Sequence, residues 1–441
     1  MRRRQVLGLV GALPLLVASP ARAMPPIQVM TTPRGIRVWL VHDPTVPVIS
    51  LSYSFEIGSA YDPPGREGTL AMMAALLDQG AGELDAGGFK LRQDELAVRL
   101  GFAATQDRFS GTLASIASRR VAAFDLLRLA LLQPRFDSDQ VERVRRSMLV
   151  NLRRNDENPQ AVAFRTMYRT IFAGHPYGRP TSGTSESLPA IAVADLQAAQ
   201  RRCLARDRLD VAVVGDVSAA ELPGLIDRAF GDLPTAAALA DLPEWTPPST
   251  ARTIVVERAL SQSTVVMVAP TIRRKDPDWY AALIVDRVLG GGGLQSRLFV
   301  EIREKRGLAY GAGCQLRSMR KAGLFIASTA SANERVAEAV DVARSEIARM
   351  AREGPTDPEI AEAKTYFAGA RALSLDSSSG IAGALHGLQI EGLPPDQFER
   401  QQAAIEAVSL AEALRVAAKM LRPELLTTVV VGQPVGISST Q

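Results

Sequence analysis

The feature that most constrains this chain is that it is written twice. Four landmarks recur in the same order along its 441 residues. Leu77-Asp78-Gln79-Gly80 corresponds to Arg287-Val288-Leu289-Gly290, an offset of 210 residues. Arg120-Val121-Ala122 corresponds to Arg335-Val336-Ala337 at 215, and Gln140-Val141 to Glu359-Ile360 at 219. Val211-Ala212-Val213-Val214-Gly215 corresponds to Thr428-Val429-Val430-Val431-Gly432 at 217. Each match is short, but four in order at a nearly constant offset mark an internal duplication. The stretch 234–249, rich in Pro and Ala with Pro243, Pro247 and Pro248 towards its end, reads as the linker. The two units are therefore expected at 24–233 and 250–441.

Each unit mixes strands and helices. Ile49, Leu51, Tyr53, Phe55 and Ile57 alternate with Ser50, Ser52, Ser54 and Glu56. That period of two predicts a half-buried strand of an antiparallel sheet. Leu70, Met73, Ala74 and Leu77 fall at i, i+3, i+4 and i+7, one face of a helix. Val265-Val266-Met267-Val268 and Leu324-Phe325-Ile326 read as strands of the second unit. The fold class is α+β, with mainly antiparallel sheets and helices on one face of each.

With 46% hydrophobic residues the chain is globular. Arg2, Arg3 and Arg4, the apolar run from Val6 to Val17, and Ala21-Arg22-Ala23 have the order of an export signal, so residues 1–23 read as a signal peptide. Arg3-Arg4-Gln5-Val6-Leu7 also resembles a twin-arginine signal. The apolar run is too short to span a bilayer, and the mature chain is expected in the periplasm. The formal charge of +4 resides wholly in that segment, which holds four arginines and no acids. No basic surplus remains for nucleic acid. Cys203 and Cys314 lie one in each unit, too few for a disulfide framework, and read as free thiols.

The mature chain has three histidines, His42, His175 and His386, none at helical spacing from another. His175 sits in Gly174-His175-Pro176-Tyr177-Gly178-Arg179-Pro180, a turn-rich segment that suits a satisfied loop histidine. Gly290-Gly291-Gly292-Gly293 lacks the flanking residues of a phosphate cradle. Leu294, Leu298 and Ile302 are spaced as one helix face, and Gly307 suits a left-handed helix end. Arg303 then falls in the last turn and Tyr310 at the start of a strand. A guanidinium beside a phenol can bind a peptide carbonyl or stabilise a developing oxyanion. On spacing alone, a solvated cation at a helix C-terminus describes Arg303 as well.

The stretch Leu289–Tyr310 resembles the substrate-side segment of the pitrilysin and mitochondrial-processing-peptidase family of zinc peptidases, in the pattern I-R-E-K-R-G-L-A-Y. The segment around His175-Pro176-Tyr177 resembles the same family. The family's inverted zinc motif, H-x-x-E-H, matches Ala71, Ala74 and Ala75, and alanine can neither bind zinc nor polarise water. The resemblance puts the third ligand near Met148-Leu149-Val150-Asn151-Leu152, which holds no acid, while Glu142 lies two turns earlier.

The resemblance therefore implies a non-catalytic subunit without metal or cofactor of its own. Arg303 and Tyr310 would bind the peptide substrate, near a flexible loop made by Gly290–Gly293. The partner would be a homologous subunit carrying H-x-x-E-H and the zinc. Two such subunits would close as a clam shell around an extended peptide. The alternative is an inactive structural or peptide-binding protein with no protease partner.

Overall fold

The computed structural model describes residues 26–440, so the predicted signal peptide lies outside the described residues. The first sheet contains β1 (Gln28–Thr31), β2 (Arg37–His42), β3 (Val48–Phe55), β4 (Arg99–Ala104), β5 (Phe109–Ile116) and β6 (Leu209–Gly215). The second contains β7 (Thr253–Glu257), β8 (Gln262–Pro270), β9 (Ala309–Ser318), β10 (Gly323–Ala332) and β11 (Thr427–Gly432). Their spatial orders are β1-β2-β6-β3-β5-β4 and β7-β11-β8-β10-β9. Apart from β1 the two orders are the same. The parallel pairs also correspond, β2 with β6 and β7 with β11, and every other pair is antiparallel. The duplication is thus present in three dimensions. Even the strand ends agree: Gly215 (φ +134°) and Gly432 (φ +153°) close β6 and β11. A Cβ at Gly215 would sit 2.0 Å from the Val48 carbonyl oxygen, and one at Gly432 would sit 2.3 Å from Ser263 Oγ. Residues 231–252 form no helix or strand.

One face of each sheet packs on helices of its own half. Tyr53, Phe55, Phe109 and Val213 meet Phe124, Leu127 and Phe230 in the first core. Phe325, Met267 and Val430 meet Val285, Ile347 and Val416 in the second.

The opposite faces are covered by exchange. Helix Pro159–Ile171 leaves the first half and lays Val162, Ala163 and Met167 on Val266, Val268, Leu324 and Val429 of the second sheet. Helix Ser378–Ile390 leaves the second half and lays Ala382, Leu385 and Leu388 on Trp39, Val41, Ala212 and Val214 of the first. The exchange is itself duplicated. Asn158 caps one helix through Gln160 N at 2.9 Å, and Ser377 caps the other through Gly380 N at 3.1 Å. At their far ends, the carbonyl of Ile171 accepts from Trp245 Nε1 at 3.1 Å and that of Ile390 from Arg108 Nη2 at 2.9 Å.

The exchange alters the sequence reading of β3. It was expected to be half-buried, yet Ser50, Ser52 and Ser54 are buried as well. They face the crossing helix, whose close approach small side chains permit. Arg108 Nη1 donates to Ser54 Oγ at 3.0 Å, which leaves the hydroxyl proton for His386 Nε2 at 2.9 Å. This arrangement suits a neutral imidazole whose Nε2 accepts. Burial, helped by the Arg108 charge, holds its pKa down at about 4, against an ordinary value of 6.5.

The unfolded chain takes up this proton near pH 6.5 and the folded chain only near pH 4. His386 therefore contributes stability above pH 6.5 that is lost as pH falls towards 4, at up to about 1.4 kcal/mol per pH unit. Urea unfolding across that window is expected to show a shallower pH slope in His386→Gln than in the wild type. Equal slopes would mean that the imidazole titrates normally in the fold.

Candidate functional site

The helix that carries the zinc-motif positions is short. It spans Thr69–Ala74, and Asp62 caps its start by accepting from Gly68 N at 2.9 Å and Leu70 N at 3.1 Å. Leu70, Met73, Ala74 and Leu77 face the first core, as expected from their spacing, and Met72 is buried there as well. Ala71 is half-buried, and Ala75, just past the helix, is exposed. These two methyl groups stand one turn apart on the outer side, so only Ala74 of the three is core. Where the third ligand would come, Met148, Leu149 and Leu152 of helix Ser138–Glu157 pack against the first core. Glu142 is paired with Arg145 at 3.0 Å.

The histidines are equally committed. His42 Nδ1 bonds the Val217 carbonyl at 2.9 Å. His175 Nε2 bonds the Pro243 carbonyl at 3.0 Å, while its Nδ1 accepts from Tyr177 N at 3.2 Å. Among the described residues no three His, Cys, Asp or Glu side chains gather in a way that could hold a metal ion. The residues present do not fit a zinc site. Both cysteines are free thiols.

Arg303 and Tyr310 do come together. The chain enters a helical turn at Arg297–Phe299 and widens into a π-turn over Val300–Glu304, with Lys305 N bonded to the Val300 carbonyl at 2.9 Å. Gly307, at φ +58°, turns the chain out, and Leu308 N closes on the Ile302 carbonyl at 2.8 Å. The next residues enter β9, with Tyr310 second in the strand. Arg303 Cζ lies 4.5 Å from the Tyr310 ring centroid and 4.8 Å from that of Phe299. Two rings thus hold the guanidinium, each contact contributing about 0.5–1 kcal/mol. Arg303 forms no ion pair among the described residues, and Tyr310 is 86% exposed. A fixed guanidinium with free donors, beside an open phenol, is suited to a carbonyl oxygen or an oxyanion.

Two sequence expectations need correction here. Leu294 does not share the helix face: it precedes the helix and is exposed, leaving Leu298 and Ile302 to anchor the turn. The glycine run is also held by close packing at its start. A Cβ at Gly290 would sit 2.6 Å from Cys314 N, and one at Gly291 would sit 2.3 Å from Asp286 Oδ2. Arg287 donates to the Gly292 carbonyl and stacks on Tyr366 at 3.6 Å. Glycine is required there for close approach, and only Gly293 takes a left-handed conformation, at φ +90°. Beneath the run, the Cys314 thiol donates to Asp286 Oδ1 at 3.3 Å, and burial raises the Asp286 carboxyl to about 7. Nothing in the local spacing identified this pair.

Comparison with known proteins agrees with this fold. Residues 37–185 match the family described as Insulinase (Peptidase family M16), and residues 190–367 match the Peptidase M16 inactive domain. The chain belongs to the M16 peptidase family. It is 27% identical to an uncharacterized zinc protease of Mycobacterium tuberculosis over 407 residues, 92% of each chain. It is 23% identical to a Helicobacter pylori protein described as a non-peptidase homolog, over 83% of this chain and 85% of that one. Among solved structures, the M16 inactive domain from Pseudomonas fluorescens superimposes with a TM-score of 0.88 at 26% identity, covering 94% of this chain and all of that one. The periplasmic protease PqqL from Escherichia coli shares the fold at a TM-score of 0.80 and 17% identity, over 98% of this chain and 49% of that one. No helix among the described residues is long and apolar enough to cross a membrane.

Proposed function

We propose that this M16 chain is the non-catalytic subunit of a two-subunit zinc endopeptidase of the periplasm. It would supply Arg303 and Tyr310 to a peptide held in the partner's active site. The observation that carries the reading is a split inventory. The zinc-motif positions hold Ala71, Ala74 and Ala75, while Arg303 remains stacked on the exposed Tyr310 at 4.5 Å. The match to an M16 inactive domain supports it. A purely structural protein gains little from a guanidinium held between two rings with its donors open. The Arg303 N–H groups and the Tyr310 O–H would donate to a peptide carbonyl oxygen, and more strongly as that oxygen gains charge. Zinc would belong to a homologous partner with H-x-x-E-H.

The alternative, an inactive peptide-binding or structural protein with no protease partner, draws on the Helicobacter pylori relative named as a non-peptidase homolog. The two readings separate experimentally. The purified chain is expected to hold no stoichiometric zinc by metal analysis and to cleave no peptide. Mixed with an H-x-x-E-H subunit encoded in an adjacent reading frame, it should form a complex that cleaves extended peptides. One tightly held zinc per isolated chain would overturn the reading, as would a partner whose rate is the same with and without this chain.

A further inference from the structure

The duplication brings two equivalent hairpin turns face to face. The turn between β4 and β5 (Thr105–Arg108) meets the turn between β9 and β10 (Met319–Ala322) across the seam of the halves. Arg320 N donates to Asp107 Oδ2 at 2.9 Å, and Lys321 N to Tyr177 Oη at 3.2 Å. Beside this contact lies a cavity of about 700 Å³. That is the size of a site for a small ligand or a few peptide side chains.

Its lining is unevenly charged. Six cations face it, Arg108, Arg273, Arg274, Lys275, Arg317 and Arg320, against the acids Glu56, Asp107 and Glu391. The acids are largely spoken for. Arg320 pairs with Glu56 at 2.8 Å and Asp241 at 2.6 Å, and Arg108 pairs with Asp210 at 2.8 Å. Both oxygens of Asp107 accept hydrogen bonds, from Tyr177 Oη and Arg320 N. Burial pushes the Glu391 carboxyl up, against the pull of Arg274, Arg108 and Lys275.

Arg273, Arg274, Lys275 and Arg317 form no ion pair among the described residues. They are positioned without one. Arg274 lies over the rings of Trp279 at 5.4 Å and Tyr280 at 5.0 Å and donates to Tyr280 Oη at 3.0 Å. Arg273 Nη1 donates to the Arg320 carbonyl at 2.8 Å. Arg317 lies over Tyr168 at 5.6 Å. Like charges gathered in a cleft repel one another, and an anion entering it relieves that repulsion.

The cavity is also placed on a path. β9 is the edge strand of its sheet and carries Tyr310 near its start and Arg317 near its end. The seven residue steps from Tyr310 to Arg317 span roughly 23 Å. A peptide laid along this edge from Tyr310 would reach the cavity about seven residues later.

We propose that this cavity is a docking site for acidic side chains of the extended peptide held at Arg303 and Tyr310, so that the complex prefers substrates with glutamate or aspartate about seven residues from the reacting bond. The inference rests on the peptide-binding reading above.

The test uses the reconstituted pair and extended peptides of one sequence with a short run of Glu, Gln or Lys about seven residues to either side of the cleaved bond. At about 50 mM salt the Glu series is expected to show KM about tenfold below the Lys series, with Gln between. Arg273→Gln/Lys275→Gln/Arg317→Gln, all exposed positions, should bring the KM values of the three series within about twofold of one another. Lys275→Gln alone serves if the triple variant melts early. Equal KM values for the three series would overturn the inference while leaving the reading intact. A preference that survives the substitutions would equally overturn it, by placing the preference elsewhere. If no peptide of any series is cleaved, the reading falls and the inference with it.

Discussion

Replacing Arg303 by Ala, or Tyr310 by Phe, is expected to slow peptide cleavage by the reconstituted pair by on the order of 100-fold each, the usual effect of losing one oxyanion-type donor. The loss should fall on kcat more than on KM, because a donor aimed at developing charge acts most strongly in the transition state. Arg303→Lys should recover only part of the rate, since an ammonium keeps the charge but loses the planar fork and its stacking between Phe299 and Tyr310. The double variant should cost less than the product of the two singles, because the rings and the guanidinium position one another. Association and the partner's zinc content should stay at wild-type levels. Tyr310 is exposed, and the turn is anchored by Leu298 and Ile302 instead. Steady-state kinetics with parallel metal analysis would decide it. Wild-type rates in both single variants would remove the chain from the chemistry and leave it a structural role.

The sequence carried the duplication and the Arg303–Tyr310 pair for a physical reason. A repeated fold needs the same residues at the same strand ends, as Gly215 and Gly432 show. A helix that folds back at a left-handed glycine brings its last turn onto the following strand. What stayed hidden was long-range. The period of two in β3 correctly marks its inner face, but serine on the other face reads as solvent when it in fact admits a crossing helix. A signal was nevertheless available. Val211-Ala212-Val213-Val214 and Val429-Val430-Val431 are apolar on both faces, as strands covered on both sides are. Nothing within either half supplied the second cover. The cavity at the seam was hidden for a similar reason, since Gln106 and Arg317 lie far apart in sequence and meet only where the two halves face each other.

The exchange also makes a demand on stability. Two units of this size joined by a linker would ordinarily unfold independently. Here each sheet loses the cover of one face if the other half unfolds. Leu385 and Met167 are fully buried and sit on the sheet of the opposite half. Leu385→Ala and Met167→Ala are each expected to cost about 2–5 kcal/mol, from lost transfer and the cavity left behind. The direction of the effect matters more than its size. Leu385 belongs by sequence to the second half but stabilises the first sheet, and Met167 does the reverse. Calorimetry of the wild type should therefore show one cooperative transition, which either substitution moves as a whole. Two resolved transitions, with Leu385→Ala lowering only one, would mean that the crossing helices merely lie on the sheets. A single transition would mean that neither half is a complete folding unit. The seam, where Arg317 lies over Tyr168 of the opposite half, would then be as permanent as the cores on either side of it.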